Sequence, residues 1–177
     1  LAALMPQESL AQAASTGSTT IFTNANVLTV DEDFSEAQAI AVRGNRILAV
    51  GTDGEVRAVA GEDANVIDLG GKTILPGFID PHTHADGDLL SNDAVRRANL
   101  PFAFQGVTTV VIGNDGFGDH DIAAQVKAMR ETGIGTNVAM LAGFGSIRGA
   151  VIGKADRAPS EHELGAMREL VRQAMCE

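Results

Sequence analysis

The chain has no Trp and no Tyr, a single Cys, five Pro, and only 13 Lys and Arg against 23 Asp and Glu. Each shortage excludes something. With seven Phe as the only aromatics, the core must be built from Val, Ile, Leu, Ala and Gly, as in α/β proteins with small residues at strand–helix contacts. One cysteine, Cys176, rules out an internal disulfide framework. A formal charge of −10 opposes nucleic acid, which is gripped by clustered Lys and Arg, and opposes an anionic membrane surface. No apolar run reaches the roughly 20 residues that span a bilayer. What is present is 45% hydrophobic residues in a chain of 177, enough for a packed core and unlike a disordered composition.

The first 18 residues are read apart from the fold. Leu1 to Ala14 are apolar and Ala-rich, and Ala11-Gln12-Ala13 fits the small-x-small pattern of a signal-peptidase site. Pro6-Gln7-Glu8 interrupts the stretch and no basic segment precedes it, so a retained leader is the alternative. The expected location is accordingly cytoplasmic or periplasmic.

From Thr19 the pattern becomes short β-type runs. Thr20-Ile21-Phe22-Thr23, Asn26 to Val30, Ala37 to Val42 and Arg46 to Gly51 are rich in β-branched or alternating residues, and Gly44-Asn45 supplies a hairpin turn. Ala64 to Leu69 adds another run before Gly70-Gly71. These predict a small antiparallel module over 19–72, of a size at which independent stability is marginal.

After Lys72 the rhythm is strand, helix, strand, helix. Thr73 to Asp80 reads as a strand, Asn92 to Gln105 as a helix with Pro101 a kink or stop, and Gly106 to Gly113 as a fully apolar strand. Asp119 to Glu131 carries Ile122, Val126 and Met129 on one face of a helix, and Thr136 to Ala142 is a third strand. Ser160 with Glu163 forms a capping box for a helix reaching about Met175. Alternating βα units with apolar strands predict a parallel sheet covered by helices. A parallel sheet of three strands leaves long apolar edges, and the pattern reads as unfinished.

Leu75-Pro76-Gly77-Phe78-Ile79 leads an apolar run, long enough for a buried strand, into Asp80-Pro81-His82-Thr83-His84. Side chains at i and i+2 of a strand point the same way. His82 and His84 therefore aim both imidazoles at one point past a strand end, with Asp80 one step deeper. Two aligned imidazoles are half of a metal site suited to zinc and its neighbours. A polar turn with solvent-facing histidines is the alternative, and the His-x-His spacing favours the metal.

In a βα array, ligands collect at the carboxyl ends of the strands. At the second such end, Asp115 lies in the turn Gly113-Asn114-Asp115-Gly116-Phe117-Gly118, either as a third metal ligand or as an ordinary Asp-Gly turn residue. The glycine spacing is no Walker motif, and no Lys follows. At the third end, Arg148 is a candidate for holding a substrate carboxylate, with a surface ion pair as the alternative. Asp86 and Asp88 orient the histidines, touch substrate, or are solvated loop acids. His120 and His162 lack partner spacing, and Cys176 reads as packing.

Together, the β module, the motif from Leu75 to His84, and Gly106-Val107-Thr108-Thr109-Val110-Val111 resemble the amidohydrolase superfamily. More narrowly, they resemble its N-acyl-D-amino-acid deacylase (D-aminoacylase) branch, from about residue 20 onward and including Asn137-Val138-Ala139 and Arg148 to Gly153. The resemblance implies an α/β fold: a small antiparallel β-sandwich module over 19–72, then the first three βα units of a (β/α)8 TIM-type barrel over 73–177, incomplete in this chain. It implies His82 and His84 as metal ligands, one or two ions of Zn2+ or another divalent metal as cofactor, and an N-acylated amino acid or related amide as substrate. Asp115 falls where this branch often has a zinc-ligating cysteine, and a hard carboxylate departs from that tight single-zinc site. Phe144 stands where relatives often carry histidine, a departure that bears on the substrate pocket.

The resemblance further implies that the general-base Asp and the further His ligands belong to later strands, expected outside this chain. The missing C-terminal part of the same enzyme is thus the expected partner, and the chain alone is expected to be inactive. The alternatives are a superfamily hydrolase of cyclic amides (hydantoinase- or imidase-like) and an inert fragment that acts only by association.

Overall fold

A computed structural model describes residues 17–175; the Ala11-Gln12-Ala13 motif and Cys176 lie outside the described residues. The chain divides between Pro76 and Gly77 into two compact units. In the first, β1 (Thr19–Thr23), β4 (Ala39–Arg43), β5 (Arg46–Gly51) and β6 (Asn65–Asp68) form one sheet in the order β5-β4-β1-β6. A second sheet joins β2 (Asn26–Leu28), β3 (Glu36–Ala37) and β7 (Thr73–Ile74) in the order β3-β2-β7.

The unit is not purely antiparallel, contrary to the expectation from its short runs. β6 lies parallel to β1, and β7 parallel to β2. The cause is a helix, α1 (Asp53–Ala60), between β5 and β6. Those two strands run in the same direction, so the chain has to cross the sheet between them, which a hairpin cannot do.

Helix α1 starts at a capping box that the run of β signals obscured. Thr52 Oγ1 accepts from the Glu55 amide at 3.3 Å, and Glu55 Oε2 accepts from the Thr52 amide at 2.9 Å. Val56 and Ala60, four apart on one face, then pack onto Ile21, Ala39 and Ala41. Alanines at the first and third positions of β4 let the helix sit close to the sheet, so all five residues are buried.

The run Thr73 to Asp80, expected as one strand, is two. Thr73–Ile74 stays with the first unit, while β8 (Phe78–Asp80) opens the second. Pro76 has no amide for a ladder, and pairing resumes only where the Phe78 amide meets the Gly106 carbonyl at 2.8 Å. At Gly77 a Cβ would sit 2.2 Å from the Thr108 side chain, so no other residue passes there. β8 is a sheet edge and not a buried strand: Phe78 and Ile79 are 54% and 66% exposed.

The second unit orders β8, β9 (Val107–Ile112) and β10 (Asn137–Met140) side by side in chain sequence, all parallel. Three short helices join β8 to β9: α2 (Asp86–Leu89), α3 (Ala94–Arg97) and α4 (Leu100–Ala103). The single helix expected over 92–105 breaks at Asn99, which takes a left-handed φ of 50° and donates from Nδ2 to Thr136 Oγ1 at 2.9 Å. α5 (Ile122–Thr132) joins β9 to β10; α6 (Phe144–Ile152) and α7 (Glu161–Met175) follow.

One face of this sheet is covered. Val110 and Ile112 pack with Ala85, Leu89 and Met129, flanked by Val138 and Met140. The other face carries Ile79, Thr109, Val111 and Ala139 in paired register, none of them fully buried. No helix among the described residues is long and apolar enough to cross a membrane.

Candidate metal centre

Strand alternation continues past Asp80. The Thr83 amide and hydroxyl both donate to the Val111 carbonyl, at 3.0 and 2.9 Å, and bury Thr83 against β9. His82 and His84, one residue to either side, are thereby turned to the opposite, open side. Asp80 ties this turn from below, its Oδ1 accepting from the His82 amide at 3.1 Å.

The third group arrives from the end of β9. Asp115 sits in a one-turn 3-10 segment, Asn114–Gly116, at a left-handed φ of 58°. Its Oδ2 lies 3.3 Å from His82 Nε2 and 3.2 Å from His84 Nε2. The two imidazoles meet edge to face with centroids 5.5 Å apart. One donor atom from each residue lies within 4.8 Å of the others, and all three residues are exposed.

These separations fit a shared ion. Donors at about 2.1 Å from a tetrahedral centre lie about 3.4 Å from one another. Two imidazoles and a carboxylate are a donor set that zinc and other first-row divalent ions accept.

Reasoning from the sequence overlooked what holds the set together. Asn114 is buried, and its Nδ2 donates to the carbonyls of Thr83 at 3.2 Å and Val111 at 3.0 Å. One side chain therefore clamps the residue between the two histidines to the residue beside Asp115. The glycines serve a different end from phosphate binding. A Cβ on Gly113 would meet the Leu141 carbonyl oxygen at 2.1 Å, one on Gly118 would meet it at 2.2 Å, and one on Gly143 would meet the Gly118 oxygen at 2.4 Å. The strand-end loops of β9 and β10 touch backbone to backbone. A buried amide residue inside a glycine-bounded turn was the available signal.

The remaining candidates fall elsewhere. Arg148 lies within α6, not in a strand-end loop, and its Nη2 donates to the carbonyls of Ala155 at 2.7 Å and Arg157 at 2.9 Å. Asp88 is paired with Arg96 at 2.6 Å. His120 Nδ1 rests 3.0 Å from Asp119 Oδ1, and His162 is exposed on α7. Phe144 opens α6 and is 65% exposed.

Comparison with known proteins gives the family. The model of the amidohydrolase family matches residues 65–174. The chain belongs to the amidohydrolase family. It is D-aminoacylase-like within it: it is 33% identical over 159 residues to a D-aminoacylase of Alcaligenes xylosoxydans xylosoxydans, covering 77% of this chain and 31% of that one. It is 50% identical over 80 residues to an N-substituted formamide deformylase of Arthrobacter pascens, covering 45% of this chain and 15% of that one. The crystal structure of an N-acyl-D-glutamate deacylase from Bordetella bronchiseptica, complexed with zinc and a phosphonate inhibitor, superposes with a TM-score of 0.72 at 25% identity. That match covers 89% of this chain and 36% of the other, so this amidohydrolase chain spans about a third of the length of its deacylase relatives.

Proposed function

We propose that this chain supplies one side of the metal site of an amidohydrolase that cleaves the amide bond of N-acylated D-amino acids. The observation that carries the reading is the convergence of His82, His84 and Asp115 at the ends of two adjacent parallel strands. Neutral imidazoles at His82 and His84 and a carboxylate at Asp115 would hold Zn2+. Such an ion lowers the pKa of water and polarises an acyl carbonyl. Thr83 and Asn114 hold together the backbone segments that carry the three donors.

Two things are needed beyond these residues: a group to accept a proton from the attacking water and return it to the leaving nitrogen, and a cover for the open face of the sheet. Eight strands close a barrel of this type, and β8, β9 and β10 in sequential parallel order correspond to its first three. The general-base Asp and the remaining ligands would come from the later strands. The present chain alone is then inactive.

The test is hydrolysis by the full-length protein loaded with zinc. Release of free amine from a panel of N-acetyl-D-amino acids, with the L-enantiomers slower, supports the reading; a panel left untouched sinks it. The 50% identity with a formamide deformylase favours a second reading, removal of a formyl group from an N-alkyl formamide. Turnover of the formamide without the N-acetyl substrates would select it.

A further inference from the structure

The turn that carries Asp115 is held on both sides. Asn114, one residue before it, is fixed to the Thr83 and Val111 carbonyls. Phe117 and Gly118, two and three residues after it, meet the first turn of α6. The Ser146 hydroxyl donates to the Phe117 carbonyl at 3.2 Å, and the Gly143 amide donates to the Gly118 carbonyl at 2.8 Å.

The Ser146 bond is not the one a helical serine usually makes. Such a hydroxyl ordinarily faces water or turns back on a carbonyl of its own helix. Ser146 instead directs it to a carbonyl 29 positions earlier in the chain. Glycines on either side of Phe144 make the approach possible. A Cβ on Gly143 would lie 2.5 Å from the Gly116 oxygen, and one on Gly145 would lie 2.8 Å from it. α6 starts at Gly143 without a side-chain cap, and carbonyls of the Asp115 turn stand at its start in place of one.

Asp115 needs support of this kind. Its φ of 58° is left-handed, a region that crowds a side chain against its own backbone and persists where the surroundings fix it. The side chain is 52% exposed, so packing does little to hold it and the attachments of the neighbouring backbone have to. From this conformation Oδ2 lies 3.3 and 3.2 Å from the two imidazole nitrogens. A relaxed turn would carry the carboxylate away from them.

We propose that Ser146 is a positioning residue of the candidate metal centre: its hydroxyl, by holding the Phe117 carbonyl, keeps Asp115 in the left-handed turn that faces His82 and His84. This role rests on the metal reading above and not on which amide is cleaved.

Equilibrium dialysis of the full-length protein against Zn2+, together with the visible absorption spectrum of its Co2+ form, tests it. Ser146→Ala should weaken zinc by roughly fivefold and shift the Co2+ bands, because Asp115 no longer presents its carboxylate in the same place. Ser146→Thr keeps the hydroxyl and should restore both. Phe144→Ala, at an exposed side chain of the same helical turn, should change neither.

A double-mutant cycle separates positioning from general loosening. In an Asp115→Ala background, Ser146→Ala should have no further effect on zinc affinity, because the group it positions is gone. An equal loss in both backgrounds, a loss that Phe144→Ala reproduces, or a Ser146→Thr no better than alanine would overturn the assignment. If the wild type takes up neither ion, the metal reading fails and the role of Ser146 with it. If the wild type takes up both ions and Ser146→Ala alters neither affinity nor spectrum, the role of Ser146 fails alone.

Discussion

In the first unit, Gly54, Gly61, Gly70 and Gly71 have open space where a Cβ would be, whereas Gly77, Gly113, Gly118 and Gly143 of the second have none. The former relax or turn the chain, and local conformation is their whole role. The latter let backbones touch, and three of them do so around the strand ends that carry Asp115. The candidate metal centre therefore depends on tertiary contact to a degree that the α1-capped sheet does not. That sheet is closed by small residues and a local capping box.

Substitutions can break this contrast. The largest effect is expected from Gly118→Ala, whose methyl would lie 2.2 Å from the Leu141 oxygen and 2.5 Å from Gly113 Cα. Neither atom is the end of a flexible side chain, so destabilisation of about 3 kcal/mol or more is expected in urea unfolding, with loss of zinc uptake.

Asp115→Ala removes a donor and leaves the backbone contacts. Zinc affinity by equilibrium dialysis should fall about a hundredfold while the unfolding midpoint holds; unchanged affinity would remove Asp115 from the site. Asn114→Ala should lower zinc affinity by about tenfold, because the clamp between the Thr83 and Val111 carbonyls orients donors without being one.

In the first unit, Gly54→Ala in the open first turn of α1 should do the opposite and stabilise by about 0.5 kcal/mol. An unfolding curve shifted the other way would show that this glycine, too, is held by contact.

The smallest effect is in pH dependence. Arg157 grips Glu163 through two bonds, at 2.7 and 2.6 Å, and the Ser160 amide and hydroxyl add two more. Together, and led by Arg157, they hold the Glu163 carboxyl well below its usual 4.5. A depressed carboxyl contributes stability that is fully present above its unfolded value and is lost as pH falls below it. Glu163→Gln should accordingly flatten the acid limb of the stability curve below about pH 4.5. Thr52 lowers the carboxyl of Glu55 in the same sense, without an arginine, so Glu55→Gln should flatten it less.

Much of this was legible along the chain. β9, α5 and α7 follow from an apolar run between glycines, a 3.6-residue stripe, and Ser160 with Glu163. Three features were not. The break at Leu75-Pro76-Gly77 was hidden because an apolar run reads as one strand until its partners are known. α1 was hidden among β signals, although Thr52 and Glu55 marked its start. α6 is hidden because Phe144-Gly145-Ser146 and Gly149 look like a loop, so that Arg148 reads as a strand-end residue although it lies within a helix.

The sequence by itself determined that two imidazoles share one side of a strand end, because alternation along a strand is a local rule that Thr83 then enforces. Only the tertiary structure decided that Asp115 lies within reach of both imidazoles. Its approach requires a left-handed turn, a buried amide reaching across to Thr83, and glycines at Gly113, Gly118 and Gly143 through which two loops meet backbone to backbone. No local rule carries contacts between residues some thirty positions apart, and in this molecule those contacts bring the metal-ligand candidates together.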